Sequence, residues 1–553
     1  MSHLLAISVG PVQEFIAAAR RTRDLWFGSY LLSEISRAVA RAVECESRLI
    51  FPVSSDAENV ANVILTKLDG DPKVIAVKAK EAAKTEWKEF AKRARKEASS
   101  IIRDRIWEDQ EDDVIEFYAA WVIHLDPNNY REDRARVMRL LAGRKNCRDF
   151  ESAEGRFGVP KSSLDGQRET VLKDGKRTDW ANNLRLSAGE QLDVVGVTKR
   201  LGTKKGESHP RYSSVARVAV ETWLCGVKDQ VGFKELSDAC ATVPGLNKVA
   251  EPNYGDFPYE GTVAFKERHT DLIAELGEGV REPLKRVANA LSKFEGEPTP
   301  YVAVLVADGD GMGAELSKLS SVEAHQALSK KLATFADGAK DIVTKHSGVL
   351  IYAGGDDVLA FVPLHTCLKC ARALRDRFRQ TTEMTLSVGV AIGHFMENLE
   401  DLRDYGQQAE KAAKAVEGKD ALAVHLHKRG GSPVRVCGQW CGESPLDMRL
   451  QRLAKLIYDD AIPGKLPYDL YKLAELYKGW RWQIQDETTA EAMRQDTLRV
   501  IQDKQPLAGR QYMPEIEAIV KTLTGADGLE QFAEQLLVAR LIATALKQSG
   551  EGS

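Results

Sequence analysis

The chain has 553 residues, of which 43% are hydrophobic and 29% charged, with 78 basic against 81 acidic side chains for a net charge of −3. That length is too great for one hydrophobic core and implies about two to four domains. The composition is that of an ordinary globular protein; it excludes a disordered chain and one whose overall charge draws it to polyanions. No apolar run reaches the ~18 residues of a membrane helix, and the stretch Met1 to Gly10 has neither a basic leader nor a small-residue cleavage site, so a cytoplasmic location is expected.

Eight thinly spread cysteines (Cys45, Cys147, Cys225, Cys240, Cys367, Cys370, Cys437 and Cys441) point to reduced thiols rather than a disulfide framework. Cys367 and Cys370 together with Cys437 and Cys441 have the count of a four-thiolate zinc site. The first pair, however, lies in the helical apolar repeat Leu364 to Phe378, where cysteines are usually core or boundary residues, and zinc is not expected.

In chain order, Leu4 to Val9 reads as a strand and Gly10-Pro11 as a tight turn. Val12 to about Val43 reads as one long helix with Phe15, Ile16, Leu25, Trp26, Leu31, Leu32 and Ile35 on one side. An apolar stretch from Arg48 to Val53, a charged helix from about Lys73 to Trp107 and a strand from Ile115 to Leu125 complete a pattern that suits a ferredoxin-like sandwich. From Asn128 to about Ser208 the chain is polar, basic and glycine-rich. The densest basic clusters are Arg20, Arg21 and Arg23; Lys92, Arg93, Arg95 and Lys96; Arg131 to Arg148; and Lys199 to Lys205.

The sharpest break is Gly296-Glu-Pro-Thr-Pro300, after which the opening pattern returns. Strand Tyr301 to Ala307, helix from about Val322 to Lys345, strands Val349 to Ala353 and Val358 to Val362, helix Leu368 to Gln380 and strand Leu386 to Ile392 form a second ferredoxin-like unit, the arrangement of polymerase palms and nucleotide cyclases. From about Ser444 the apolar spacing is helical throughout. The fold class expected is α+β, with two ferredoxin-like palm domains, a connecting subdomain and an all-α C-terminal domain. The expected boundaries are 1–127 for the first palm, extendable into 180–250; 128–298 for a loop-rich and helical connector; 299–435 for the second palm; and 436–553 for the helical end.

Chemistry concentrates in the second unit. The apolar run Tyr301 to Ala307 reads as a strand covered on both faces, and it delivers Asp308-Gly309-Asp310-Gly-Met-Gly313 at its exit. Carboxylates there are costly unless something binds them, and the glycines let backbone approach a phosphate or a metal. Gly354-Gly355-Asp356-Asp357 separates two apolar strands and reads as a hairpin with acidic groups at its tip. Laid beside the Asp308 strand, this tip would gather carboxylates able to hold two Mg²⁺ or Mn²⁺ ions for phosphoryl transfer. Lys414 and Lys419 would add cationic groups near a triphosphate. Ser387-Val-Gly389 reads as sheet core.

Gly10-Pro-Val-Gln-Glu-Phe-Ile16, Arg20-Arg-Thr-Arg-Asp-Leu-Trp26 and Gly28-Ser-Tyr-Leu-Leu-Ser33 strongly resemble the opening of the large polymerase-like subunit of type III-B (Cmr) CRISPR effector complexes. Arg144 to Phe150, Pro160 to Gly166, Lys199-Arg200, Tyr212 to Ser214 and the Asp308 and Gly354 motifs are similar to that family as well, over residues 1 to about 430. The resemblance implies an RNA-guided antiviral complex, with other Cmr-type subunits, guide RNA and target RNA as partners, in which target RNA switches on polymerisation of ATP into cyclic oligoadenylate. By the same resemblance Asp308 and Asp356 are the principal metal ligands with Asp357 nearby, Gly309, Asp310, Gly354, Gly355, Lys414 and Lys419 lie at the nucleotide, and Gly10, Gln13 and Ser29 seat a second nucleotide. Many relatives begin with an HD nuclease domain; this sequence contains no His-Asp dipeptide, so no HD-type nuclease is expected. Two alternatives stay open: a palm-type transferase using another acceptor or resembling a diguanylate cyclase, and a catalytically silent scaffold. Against the cyclase, Asp357 is followed by Val358, where the Gly-Gly-Asp/Glu-Glu-Phe motif of such enzymes has phenylalanine.

Overall fold

The computed structural model describes residues 1–56, 59–147, 156–174, 184, 186, 189–203, 206, 213–246, 249, 254–479 and 487–551. It begins with β1 (His3–Gly10), α1 (Gln13–Ala17), α2 (Thr22–Glu44), β2 (Arg48–Phe51), β3 (Val63–Leu68), α3 (Pro72–Ala98), α4 (Asp104–Glu111) and β4 (Glu116–Ile123). The strands form an antiparallel sheet in the order β2-β3-β1-β4, with α2 and α3 packed together over Leu5, Ile7 and Val9. This is the ferredoxin-like arrangement the periodicity predicts.

Three local expectations change. The helix expected from Val12 to Val43 is two helices, because the backbone leaves helical geometry at Ala18 and the Nζ of buried Lys199 takes the carbonyls of Phe15 and, at 2.7 Å, Ala18. A partner carried by residue 199 is invisible to local periodicity. Strand β3 is not anticipated, since Thr66 and Lys67 interrupt its apolar pattern. The charged helix expected to run to Trp107 ends at Ala98, and α4 starts afresh at Asp104.

Next come α5 (Tyr130–Asn146), α6 (Val194–Leu201), α7 (Val215–Val227), α8 (Phe233–Ala241), α9 (His269–Leu276) and α10 (Arg281–Leu291). Helix α6 inserts Val194, Val197 and Leu201 into the first core, while α7 to α10 build a separate core around Trp223, Phe257, Phe265 and Leu284. Lys199 and Arg200, counted in the sequence as part of a basic surface cluster, are buried on α6. Arg200 spans Asp24 (3.0 and 3.1 Å) and Glu190 (2.7 and 3.1 Å). They are internal struts, which removes them from the candidates for partner contact. Lys204, Lys205, Arg148 and Tyr212 lie outside the described residues.

The second unit comprises β5 (Tyr301–Gly309), α11 (Met312–Lys318), α12 (Val322–Lys345), β6 (Val349–Gly354), β7 (Asp357–Val362), α13 (Cys367–Thr382), β8 (Leu386–His394), α14 (Leu399–Ala415), β9 (Ala421–Leu426) and β10 (Val434–Gln439). Its order, β10-β9-β8-β5-β7-β6, contains the order of the first sheet and extends it through β9, parallel to β8. The two units pack reciprocally: α2 lies against β6 and its counterpart α12 against β2. Arg48 reaches Glu323 at 3.0 Å and Gln326 at 2.6 Å, and the Tyr130 hydroxyl meets His325 Nδ1 at 2.7 Å.

Helices α15 (Leu446–Tyr458), α16 (Leu466–Lys478), α17 (Glu487–Lys504), α18 (Met513–Lys521) and α19 (Gly525–Ser549) complete the chain. One continuous core joins them to the second sheet through Val434, Val436, Trp440 and Leu446, and β10 crosses the boundary expected at residue 435. Among the described residues no helix is long and apolar enough to cross a membrane.

Candidate active site

Strand β5 is buried because β7 pairs with one of its edges and β8 with the other. Its near-continuous apolar sequence follows from that cover. At its C-terminal end Asp308 lies opposite Ser387 of β8, and on the other side Ala307 lies opposite Val358 of β7. The β6–β7 hairpin closes with Gly354 opposite Asp357, and Gly355 takes φ +68° at the turn, which glycine adopts without steric cost. Asp356 and Asp357 therefore reach the end of β5.

Carboxylate oxygens of Asp308, Asp356 and Asp357 lie within 4.8 Å of one another. Among the described residues this is the group of acidic, histidine or cysteine side chains arranged to hold a cation. An all-oxygen donor set of this kind fits Mg²⁺ or Mn²⁺. The close approach depends on Gly309: a Cβ there would stand 2.9 Å from Asp356 Cβ and 3.0 Å from Met312 Cγ.

Burial raises the Asp356 carboxyl, opposed by backbone N–H groups of Asp356 and Gly309. Surrounding protein and the charges of Asp356 and Glu410 push Asp357 up to about 7; its side chain is open to solvent at the tip, so water screens part of that effect. Carboxylates gathered this closely favour a cationic partner. One is within the chain: Lys414 Nζ donates to Asp308 Oδ2 and lies 3.6 Å from Glu410. Burial, then the nearby Lys419 charge, depress the Lys414 ammonium.

The other expected residues divide by position. Lys419 is exposed on the turn after α14. Asp310, expected at the nucleotide, has both oxygens taken inside the protein, by the Ser387 hydroxyl at 2.8 Å and the Asp420 N–H at 3.0 Å. Gly10 ends β1 opposite Glu116, Gln13 opens α1 and Ser29 is buried on α2. Those three belong to the first unit, and the packing of α2 on β6 is what links them to the hairpin. Cys367 and Cys370 are buried on α13, where burial pushes the Cys367 thiol up to about 12 and raises Cys370 as well; Cys437 and Cys441 are exposed. Sequence reasoning did not single out Ser387 and Asp420, which hold Asp310, or Glu410, which lies beside Lys414. A hydroxyl within the otherwise apolar strand Leu386 to Ile392 was the one local signal.

Comparison with known proteins agrees with this geometry. Residues 4–106 match the family described as CRISPR-associated protein Cmr2, N-terminal, and residues 301–423 match Cas10/Cmr2, second palm domain. The CRISPR system Cmr subunit Cmr2 of Pyrococcus furiosus is 26% identical over an alignment covering 78% of this chain. The chain spans 62% of the length of that relative. Two cryo-EM structures of type III-B Cmr-beta share the fold, at 14% identity and 90% coverage of this chain: the apo state (TM-score 0.64, 77% of that chain) and the state bound to cognate target RNA (TM-score 0.65, 78% of that chain). Two segments of the chain, residues 4–106 and 301–423, are thus similar to the Cmr2 N-terminal and Cas10/Cmr2 second palm families.

Proposed function

We propose that this chain is the palm-bearing subunit of a type III-B effector complex and that, when the complex holds matching target RNA, its second palm polymerises ATP into cyclic oligoadenylate. The observation that carries the reading is the gathering of Asp308, Asp356 and Asp357 at the exit of β5, within a segment matching the Cas10/Cmr2 second palm. These three carboxylates would hold Mg²⁺ or Mn²⁺. Divalent ions, when bound, polarise the attacking hydroxyl and offset charge on the departing pyrophosphate. The chain's own part is placement: Gly309 lets Asp356 close on the end of β5, Gly355 has open space beside its backbone where a phosphate would lie, and Lys414 and Lys419 would bring positive charge to the triphosphate. Gly10, Gln13 and Ser29 of the first unit would help to seat the acceptor nucleotide. Other Cmr-type subunits, guide RNA and target RNA are the partners this reading requires.

The test uses the assembled complex with ATP, Mg²⁺ or Mn²⁺ and matching target RNA. Pyrophosphate and oligoadenylate should appear with wild type and vanish in the Asp356→Ala, Asp357→Ala double variant. Equal product from both would remove the proposal; product from another acceptor would redirect it to a different transferase.

A further inference from the structure

In the turn joining α14 to β9, Lys419 and Asp420 are successive residues with φ +54° and +44°. L side chains hold that left-handed conformation only when their surroundings impose it, and such outliers concentrate at working sites. Here the restraints are visible. Trp440 N–H donates to the Asp420 carbonyl at 3.0 Å, and Gln439 Nε2 donates to that of Glu417 at 2.9 Å. The Asp420 N–H goes to Asp310 Oδ2. The Asp420 carboxylate receives Nε of Arg375 at 2.9 Å and a second guanidinium N–H.

Arg375 is 5% exposed and projects from α13. Beyond Asp420 the chain of hydrogen bonds continues through Asp310 to Ser387, itself fully buried, and the Asp310 N–H donates to the Thr385 carbonyl at 2.9 Å. One connected network thus grips both the loop that starts at Asp308 and the turn that carries Lys419. An enclosed ion pair is a poor device for stability alone. Partners behind a metal-binding loop, by contrast, set the orientation of its ligands.

We propose that Arg375 and Asp420 are positioning residues, which act through Asp310 to keep the three-carboxylate cluster and Lys419 in one alignment. The activity arm of the test rests on the ATP-polymerising reading; the metal-binding arm does not. Asp420→Asn keeps the backbone N–H and tolerates the left-handed turn, and Arg375→Lys keeps the charge but loses the two-pronged donor. Both are made in the assembled complex, with the Asp356→Ala, Asp357→Ala variant as the blank. Mn²⁺ affinity is read by electron paramagnetic resonance, kcat and KM from ATP consumption with target RNA, and folding from the thermal midpoint.

Both substitutions should weaken Mn²⁺ binding per folded molecule and lower kcat about ten- to a hundredfold, beyond the fall in folded fraction that the lost ion pair produces. Wild-type Mn²⁺ affinity and kcat in both folded variants overturn the proposal. So does a loss of activity that only follows the folded fraction, with Mn²⁺ affinity per folded molecule unchanged. If the wild type binds Mn²⁺ but makes no oligoadenylate, the function reading fails and the Mn²⁺ arm alone decides the role of the two residues.

Discussion

Arg200 sits between Asp24 and Glu190, all three almost without solvent contact. Removing the guanidinium strands two carboxylates in the interior, a loss that typically costs about 3–5 kcal/mol. Arg200→Met should therefore depress the thermal midpoint strongly, and an unchanged midpoint would show that the network is dispensable. The pH dependence has a definite sign. Burial works to raise Asp24, but adjacent Arg200 prevails and holds its carboxyl below the usual 3.8; its contribution is complete above that value and is lost as pH falls through the lowered one. Burial, aided by Arg134 and Arg435 respectively, depresses His325 and His425 from 6.5 to about 4. Between those values the unfolded chain binds protons that the folded chain refuses, so these histidines make stability fall as pH drops from 6.5 towards 4. Denaturant unfolding across that range should show the decline; His325→Gln should make it shallower.

Helix α5 carries its basic side chains differently from α6. Tyr130, Val137 and Leu141 face inward, and Arg131, Arg136 and Arg139 are exposed with no acidic partner among the described residues. The helix also touches α11, which directly follows the Asp308 loop. If the complex holds RNA as proposed, this face suits a phosphodiester backbone, because arginine binds phosphate without reading sequence. Charge reversal of Arg136 and Arg139 should weaken RNA binding uniformly across sequences and flatten its salt dependence by about one unit per lost contact. Wild-type affinity and salt slope would clear α5 of that role.

At the scale of the whole molecule, the second sheet and the C-terminal helices share one core, with Trp440, Leu446, Leu450 and Leu453 packed among residues of both. A chain ending at Glu443 should thus expose that face and aggregate, whereas a soluble, monodisperse product would show that the sheet folds without its helical cover. The reciprocal contacts of α2 with β6 and α12 with β2 make the two sheets one assembly rather than tethered neighbours.

Local features were legible in the sequence for a local reason. An apolar run ending in Asp308, and a Gly-Gly-Asp-Asp tip between two short apolar runs, state their strand and turn character within about ten residues, and the repeated order of strands and helices carried the fold class. Tertiary structure alone decided the rest. The break between α1 and α2 depends on Lys199, the burial of Asp24 on Arg200, the inward turn of Asp310 on Ser387 and Asp420, and the hold on the Lys419 turn on Arg375. In each case the partner lies tens of residues or more away along the chain. A charged side chain reads the same in sequence whether it faces water or an internal partner, and only packing determines which.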